Sequence, residues 1–253
     1  MKTIFRKLRW DLLYRGKTRK YLKYAIGEIV LVVIGILIAL SINNWNENRK
    51  NKAAEQQLLN SLLLEFEDNL IILDSTIVTN AEIAETCIKI GEFTGPTLPT
   101  ISEKELSQYM VGAFKYESRY IPNQGTLSEI NNSGKLSLLS DKLLRRSISE
   151  WQSQYELVKN QETYVVTMRD NTHNYFINNG NFRRHLDLID DALVDVKPSR
   201  FANNDFAFLT NPKFESNLYL FIVASINLNK TFYLPLKAKT ETIIEQLKQN
   251  IKG

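Results

Sequence analysis

The sequence has one cysteine among 253 residues. No intrachain disulfide can form, so any exported fold must rest on packing alone. Cys87 lies among Ile83, Ala84 and Ile88 and reads as a small buried apolar thiol. Histidine is nearly as scarce. His173 and His185 are too far apart to form a helical metal pair, and no cysteine pair accompanies them, so neither metal nor cofactor is expected. Each histidine reads as a polar surface or interface residue. The chain also lacks a nucleophile elbow, a Ser-x-x-Lys pair, a glycine-rich phosphate loop and an HExxH helix. A Ser–His–Asp site needs no adjacency in sequence, so an exported hydrolase of unrecognised type stays as a third reading. No catalytic residue is assigned, and a non-enzymatic protein is expected. Finally, no segment alternates with the period of two that a half-buried strand requires, which points to an all-α chain.

Positive charge is unevenly spread. The net charge is +4, yet residues 1–23 hold nine basic side chains against Asp11, which leaves the remainder at −4. The basic excess therefore belongs to one short segment, and no nucleic-acid partner is expected. Within residues 1–23, Ile4, Phe5, Leu8, Leu12 and Leu13 recur at helical spacing up to Gly16. This is a basic amphipathic cytoplasmic segment suited to anionic headgroups of an inner leaflet.

What the chain does have is an apolar run, Tyr24 to Ile42, with Glu28 as its only charge. About 19 residues at 1.5 Å each reach roughly 29 Å, the hydrocarbon thickness of a bilayer. Tyr21 and Tyr24 at one edge and Trp45 at the other have the amphipathic rings of membrane-interface anchors. The flank after Trp45 is far less basic. The positive-inside rule then keeps the N-terminus in the cytoplasm and exports the rest from a bacterial inner membrane, into a periplasmic or extracytoplasmic space. A cleaved signal peptide is the competing reading, with Ala39-Leu40-Ser41 as its loose cleavage site, but its charged and apolar regions would both be overlong. Within the span, Glu28 either reaches back to the interface or meets a partner helix. Gly35 and Ala39 offer a place for close backbone approach to that helix.

The string YAIGEIVLVVIGILIALSINNWNE resembles the N-terminal signature of an uncharacterised bacterial family of small single-pass membrane proteins. Tyr120-Ile-Pro122 through Thr126-Leu127, then Ser133-Gly134-Lys135-Leu136 and Leu143-Leu144-Arg145, resemble the central segment of the same family. The resemblance implies membrane anchorage and a mainly helical exported domain, and no activity.

Beyond the span, residues 43–57 read as a helical stalk and residues 58–253 as the exported α-helical domain. Apolar residues at Leu59, Leu62, Phe66, Leu70, Leu73, Ile77, Ala81, Ala84 and Ile88 predict one long helix, stopped near Gly95-Pro96 and Pro99. The spacing repeats at 11 residues, which argues against a left-handed seam. Ser102 to Glu105 and Thr126 to Glu129 both read as capping boxes, with Gly134 as a left-handed cap and Tyr116 to Asn123 as a loop between the two helices they open. Ser140-Asp141 opens a second long helix along Leu144, Ile148, Trp151, Tyr155, Val158, Val165, Met168, Thr172 and Phe176. Its aromatic residues Trp151 and Tyr155 read mainly as core, and as the candidate ligand or partner face if there is one. Leu186 to Val196 predicts a short helix whose solvated face carries Asp187, Asp190, Asp191 and Asp195, without calcium-loop spacing. The C-terminal helical region is interrupted at Pro235, giving a kinked helix or two helices.

The expected architecture is an N-terminal transmembrane helix continuing into a long helix, then an antiparallel helical bundle. The leading function is protein–protein interaction or assembly, with a membrane or envelope protein, or the chain itself, as partner. A ligand-sensing bundle acting with a separate output subunit is the alternative.

Overall fold

The computed structural model describes residues 18–189, 197–201, 204 and 206–252, with side chains from Leu22 onward. The amphipathic segment of residues 1–15, the side chain of Tyr21, and Asp190, Asp191 and Asp195 lie outside the described residues. The chain divides into two units, residues 1–57 and residues 58–253. Helix α1, Thr18–Gly91, contributes to both. Among the described residues every regular element is helical.

In the first unit, none of the side chains from Leu22 to Ile42 is buried by protein; Leu31, for example, is 70% exposed. Mean hydropathy over the most apolar 18 residues is 2.8, so this stretch is long and apolar enough to cross a membrane. Backbone polarity is satisfied within the helix, as such a span requires. Ser41 Oγ adds a bond to the carbonyl of Leu37 at 2.8 Å, and Arg49 lies over the exposed Trp45 ring, 5.4 Å from its centroid. Residues 43–57 are helical.

The second unit is a bundle with up-down-up-down order. From Leu58 to Gly91, α1 forms the first leg. The second leg is broken: α2 (Glu103–Phe114), an irregular stretch, α3 (Gly125–Ser133) and a 3-10 turn (Lys135–Leu138). Helix α4 (Lys142–Asn179) is the third leg. A short α5 (Phe182–Asp187) and a 3-10 turn (Phe206–Thr210) lead to the fourth. That leg comprises α6 (Pro212–Asn227), a π-helical turn (Leu228–Tyr233) and α7 (Leu234–Lys252), without interruption.

Direct contacts fix the directions. The fourth leg pairs with α1 through Glu67–Lys248 and Asp74–Lys237, both at 2.7 Å. It pairs with α4 through Glu150–Lys239 at 2.6 Å and through Asn217 Nδ2 on the Asn171 carbonyl at 3.5 Å. Ascending numbers on α1 and α4 meet descending numbers on the fourth leg, so it runs antiparallel to both. These half-exposed ion pairs contribute at most about 1 kcal/mol each. The core beneath them carries the stability: Phe66 packs edge-on to Trp151 at 5.3 Å, and Trp151 stacks on Tyr155 at 5.6 Å.

Local chemistry explains the element ends. Ser102 Oγ accepts from Glu105 N at 3.1 Å, and Asp141 caps α4 by accepting from Leu143 N at 2.7 Å and Leu144 N at 3.3 Å. Gly134 ends α3 at φ 68°, a left-handed conformation that glycine adopts without a Cβ clash. At Gly91 the need is spatial, since a Cβ there would lie 2.9 Å from Tyr219 Oη on α6. Pro235 has no N–H, and its ring would press on the carbonyl four residues back. The helix accommodates it by widening: Leu234 N–H reaches five residues back to Asn229 O, and the helical backbone runs on without a break. The choice between a kinked helix and two helices thus resolves as one leg with a π turn.

Three expectations need correcting. The inward face of α1 keeps Leu59, Leu62, Phe66, Leu73 and Ala84 of the expected stripe, with Leu70 and Ile77 partly buried against the core, but Ala81 and Ile88 are exposed. Burial follows Leu59, Leu62, Phe66, Asn69, Leu73, Thr76, Asn80, Ile83, Cys87 and Ile90. Its steps alternate 3 and 4, the period of a left-handed packing seam, because Asn69, Thr76 and Asn80 occupy positions where apolar residues were sought. Second, Thr126 to Glu129 form no capping box. Thr126 lies inside α3, Gln124 is the N-cap without a side-chain bond, and Glu65 of α1 takes the capping role. Third, His185 is no surface residue, being 5% exposed.

Candidate functional site

The break in the second leg creates a chemical demand. Between Lys115 and Gln124 the backbone is neither helix nor strand and runs against two helices, so its N–H and C=O groups cannot pair within a helix. Side chains on α1 and α4 supply partners. Asn69 makes both bonds of an amide pair, Nδ2 to the Asn123 carbonyl at 2.8 Å and Oδ1 from the Asn123 N–H at 2.7 Å. Glu65 accepts from Thr126 N at 2.5 Å and Leu127 N at 3.1 Å. Arg169 Nη2 donates to the carbonyl of Phe114, and in the other direction the Ser118 side chain donates through Oγ to the Thr76 backbone carbonyl of α1 at 3.1 Å.

Glu162 is the centre of this arrangement. One carboxylate oxygen accepts from Tyr120 N at 2.8 Å and from Tyr233 Oη at 2.6 Å. A single buried acid thereby joins the irregular stretch, α4 and the last residue of the π turn. Burial pushes its carboxyl above the usual carboxylate range, against the two hydrogen bonds that favour the charged form. Burial also raises the phenols of Tyr233, Tyr120 and Tyr155, each with Glu162 as a nearby negative charge. Tyr120 Oη is buried without a hydrogen-bond partner. The other side of the π turn is held by Asn80, whose Nδ2 donates to the Ser225 carbonyl at 2.8 Å and to Asn229 Oδ1 at 2.9 Å. Asn229 Nδ2 returns a bond to the Ile77 carbonyl at 3.0 Å.

Sequence reading missed Glu65, Asn69, Asn80 and Glu162. Their signal is positional: Asn69, Asn80 and Glu162 fall on a 3-and-4 seam beside buried apolar residues, as Glu162 does between Val158 and Val165, and Glu65 stands next to buried Phe66.

Trp151 is fully buried, and its indole N–H donates to Thr240 Oγ1 at 2.8 Å. Tyr155 is 9% exposed and borders an open groove of about 370 Å³ between α3 and α4, with Leu127, Ser128, Gln124 and Gln152. The two histidines flank Phe176, with ring centroids at 6.5 Å for His173 and 5.5 Å for His185. Burial pushes His185 down to about 4, so it is neutral near pH 7. Burial, then the Arg169 charge, lowers His173. Cys87 is buried, and desolvation pushes its thiol up to about 12, far from a reactive thiolate. No group of three metal-ligating side chains occurs among the described residues. In the first unit, Gly35 and Ala39 are exposed, and apart from the helix's own neighbouring backbone nothing lies within 4 Å of a Cβ built at Gly35; Glu28 is half-exposed and Tyr24 exposed.

These features define a class: an all-helical bundle whose buried acids and amides bind its own irregular second leg, on a chain carrying a membrane-length apolar helix. The chain belongs to DUF6090, a family of unknown function, which it matches over residues 28–204. That range includes the apolar helix from Glu28, the Glu162 clasp except Tyr233, and both histidines. No curated protein and no solved structure matches the chain.

Proposed function

We propose that this is a non-enzymatic, single-pass membrane protein whose helical domain mediates protein–protein interaction or assembly. The observation that carries the reading is the use of the buried polar groups. Glu65, Asn69 and Glu162 are engaged by backbone N–H groups of the second leg, so they serve the fold and are not aimed at a substrate. In this reading the span lies in a bacterial inner membrane, with Tyr21, Tyr24 and Trp45 at its interfaces. The basic N-terminal segment rests on the anionic cytoplasmic leaflet, and the bundle is displayed on the far side. The partner is a membrane or envelope protein, or a second copy.

Two measurements test this. Fusions after Gly253 to a reporter that works only outside the cytoplasm are expected to be active, and the chain is expected in the membrane fraction with residues 1–41 retained. Purification in mild detergent is expected to yield a second protein at fixed stoichiometry, or a defined oligomer. A cytoplasmic C-terminus, or a lone monomer, refutes the proposal.

The groove beside Tyr155 favours the ligand-sensing bundle as a second reading. Its polar lining of Gln124, Ser128 and Gln152 suits a neutral polar ligand. Thermal-shift screening of the full chain separates the two readings, since only a sensor gains stability from a small molecule.

A further inference from the structure

The face of α1 that points away from the bundle has a seam of its own. Leu64, Asp68, Ile71, Ser75, Val78 and Glu82 are all exposed, and their steps are 4, 3, 4, 3 and 4. Leu64, Ile71 and Val78 form an apolar column at seven-residue spacing, 66%, 68% and 56% exposed. Scattered exposed aliphatic residues are ordinary. A column repeating every two turns, interleaved with small and acidic residues, is instead the pattern that a packing helix reads. Among the described residues, neither Asp68 nor Glu82 makes an ion pair within the chain, whereas the acids bordering the fourth leg, Glu67 and Asp74, are engaged by Lys248 and Lys237.

We infer that this outer seam docks one α-helix of a second protein, apolar at every seventh position and carrying Lys or Arg opposite Asp68 and Glu82. This rests on the interaction reading above and names the chemistry of the partner. Charge decides the occupant. A second copy packed in parallel would set Asp68 against Asp68 and Glu82 against Glu82. A copy packed antiparallel about Ser75 would set Asp68 against Glu82. Both of these in-register arrangements oppose like charges at the seam, which disfavours a second copy there relative to a basic helix. Fourteen residues separate the two acids, about 21 Å along a helix, so the partner's two basic residues lie two heptads apart.

The test uses the full chain in nanodiscs of zwitterionic lipid and a labelled synthetic helical peptide. The peptide has a heptad-spaced Leu/Ile column and two Lys residues fourteen positions apart; a second peptide has Glu at both positions. Fluorescence anisotropy is expected to show the Lys peptide binding at least about tenfold more tightly than the Glu peptide. In the Asp68→Lys/Glu82→Lys variant the preference is expected to reverse, which rules out lipid adsorption and misfolding as its source. Equal binding of both peptides, no binding, or no reversal overturns the inference. So do disulfide-linked dimers of an Ile71→Cys variant formed in native membranes, which would assign the seam to a second copy. A protein that co-purifies with the wild type and stays with the double variant overturns the seam alone. If the wild type instead yields a lone monomer, the interaction reading itself fails.

Discussion

Replacing Glu162 tests whether the broken second leg is held by one acceptor. Glu162→Ala leaves two buried donors, Tyr120 N–H and Tyr233 O–H, without a partner. Each orphaned donor costs about 1–3 kcal/mol, so the variant is expected to lose about 4 kcal/mol. Glu162→Gln keeps an acceptor oxygen in place and removes the charge, and is expected to stay within about 1 kcal/mol of the wild type at pH 7. For a domain of roughly 200 residues, a loss of 4 kcal/mol lowers Tm by about 8–16 °C. The assay is thermal and urea unfolding of the full chain in detergent, followed by circular dichroism and tyrosine fluorescence. The pH dependence adds an independent check. Because the folded Glu162 titrates above its unfolded value, the folded state holds more protons in the window above about 4.5, and its contribution to stability falls as pH rises through that window. Glu162→Gln is expected to remove that slope. If Gln destabilises as much as Ala, the charge and not the acceptor is what matters, and the reasoning is refuted. A neutral Ala variant would show that the second leg is held by something else.

Further outcomes follow from other residues. His185 is held neutral with its titration near 4 against an ordinary 6.5, so the unfolded chain binds the extra proton between those values and stability falls as pH drops from 6.5 to 4. At about 1.4 kcal/mol per pH unit the loss is about 3 kcal/mol; His185→Phe is expected to flatten the slope, and an unchanged slope in urea titrations would contradict this placement. Residues 46–253 expressed alone are expected to give a helical circular dichroism spectrum, unaltered by reducing agent because Cys87 has no intrachain partner; a β-type spectrum would refute the fold. If the span mediates assembly, Glu28→Gln and Gly35→Leu are both expected to reduce detergent-resistant co-purification several-fold without altering membrane insertion. Unaltered complexes in both would confine assembly to the bundle.

Much of this architecture is legible in the sequence because its strongest signals are local. The apolar run, Asp141 before α4 and Gly134 after α3 act within a turn or two of chain and need no tertiary partner. The inward face of α1 was misread for the opposite reason. Asn69 looks like a surface residue until the second leg is known to be irregular there, with the Asn123 backbone needing partners, and Thr76 looks like one because its buried hydroxyl is satisfied within its own helix, by the Ile72 carbonyl. Glu65 substitutes for a local cap from 61 residues away in sequence. A box pattern at Thr126 to Glu129 cannot reveal that its first residue is already inside the helix. Glu162 interrupts an apolar stripe, and only the positions of Tyr120 and Tyr233 explain why a carboxylate is tolerated. His185 likewise became buried through packing on Phe176. The π turn was half legible, since Pro235 marks the disturbance but not whether the helix breaks or widens.

The most direct test of the interaction reading is lysine-directed cross-linking in intact membranes, followed by mass spectrometry of the purified chain. Lys237 and Lys248 lie on the leg beside the outer seam of α1 and report on what packs there. The reading predicts cross-links from residues 58–253 to one second protein or to a second copy; with the outer seam as the docking site, they fall about tenfold in Asp68→Arg/Glu82→Arg, which reverses the charge without adding a reactive amine. Cross-links confined within single copies of the chain, in the presence of its full native membrane, would contradict it.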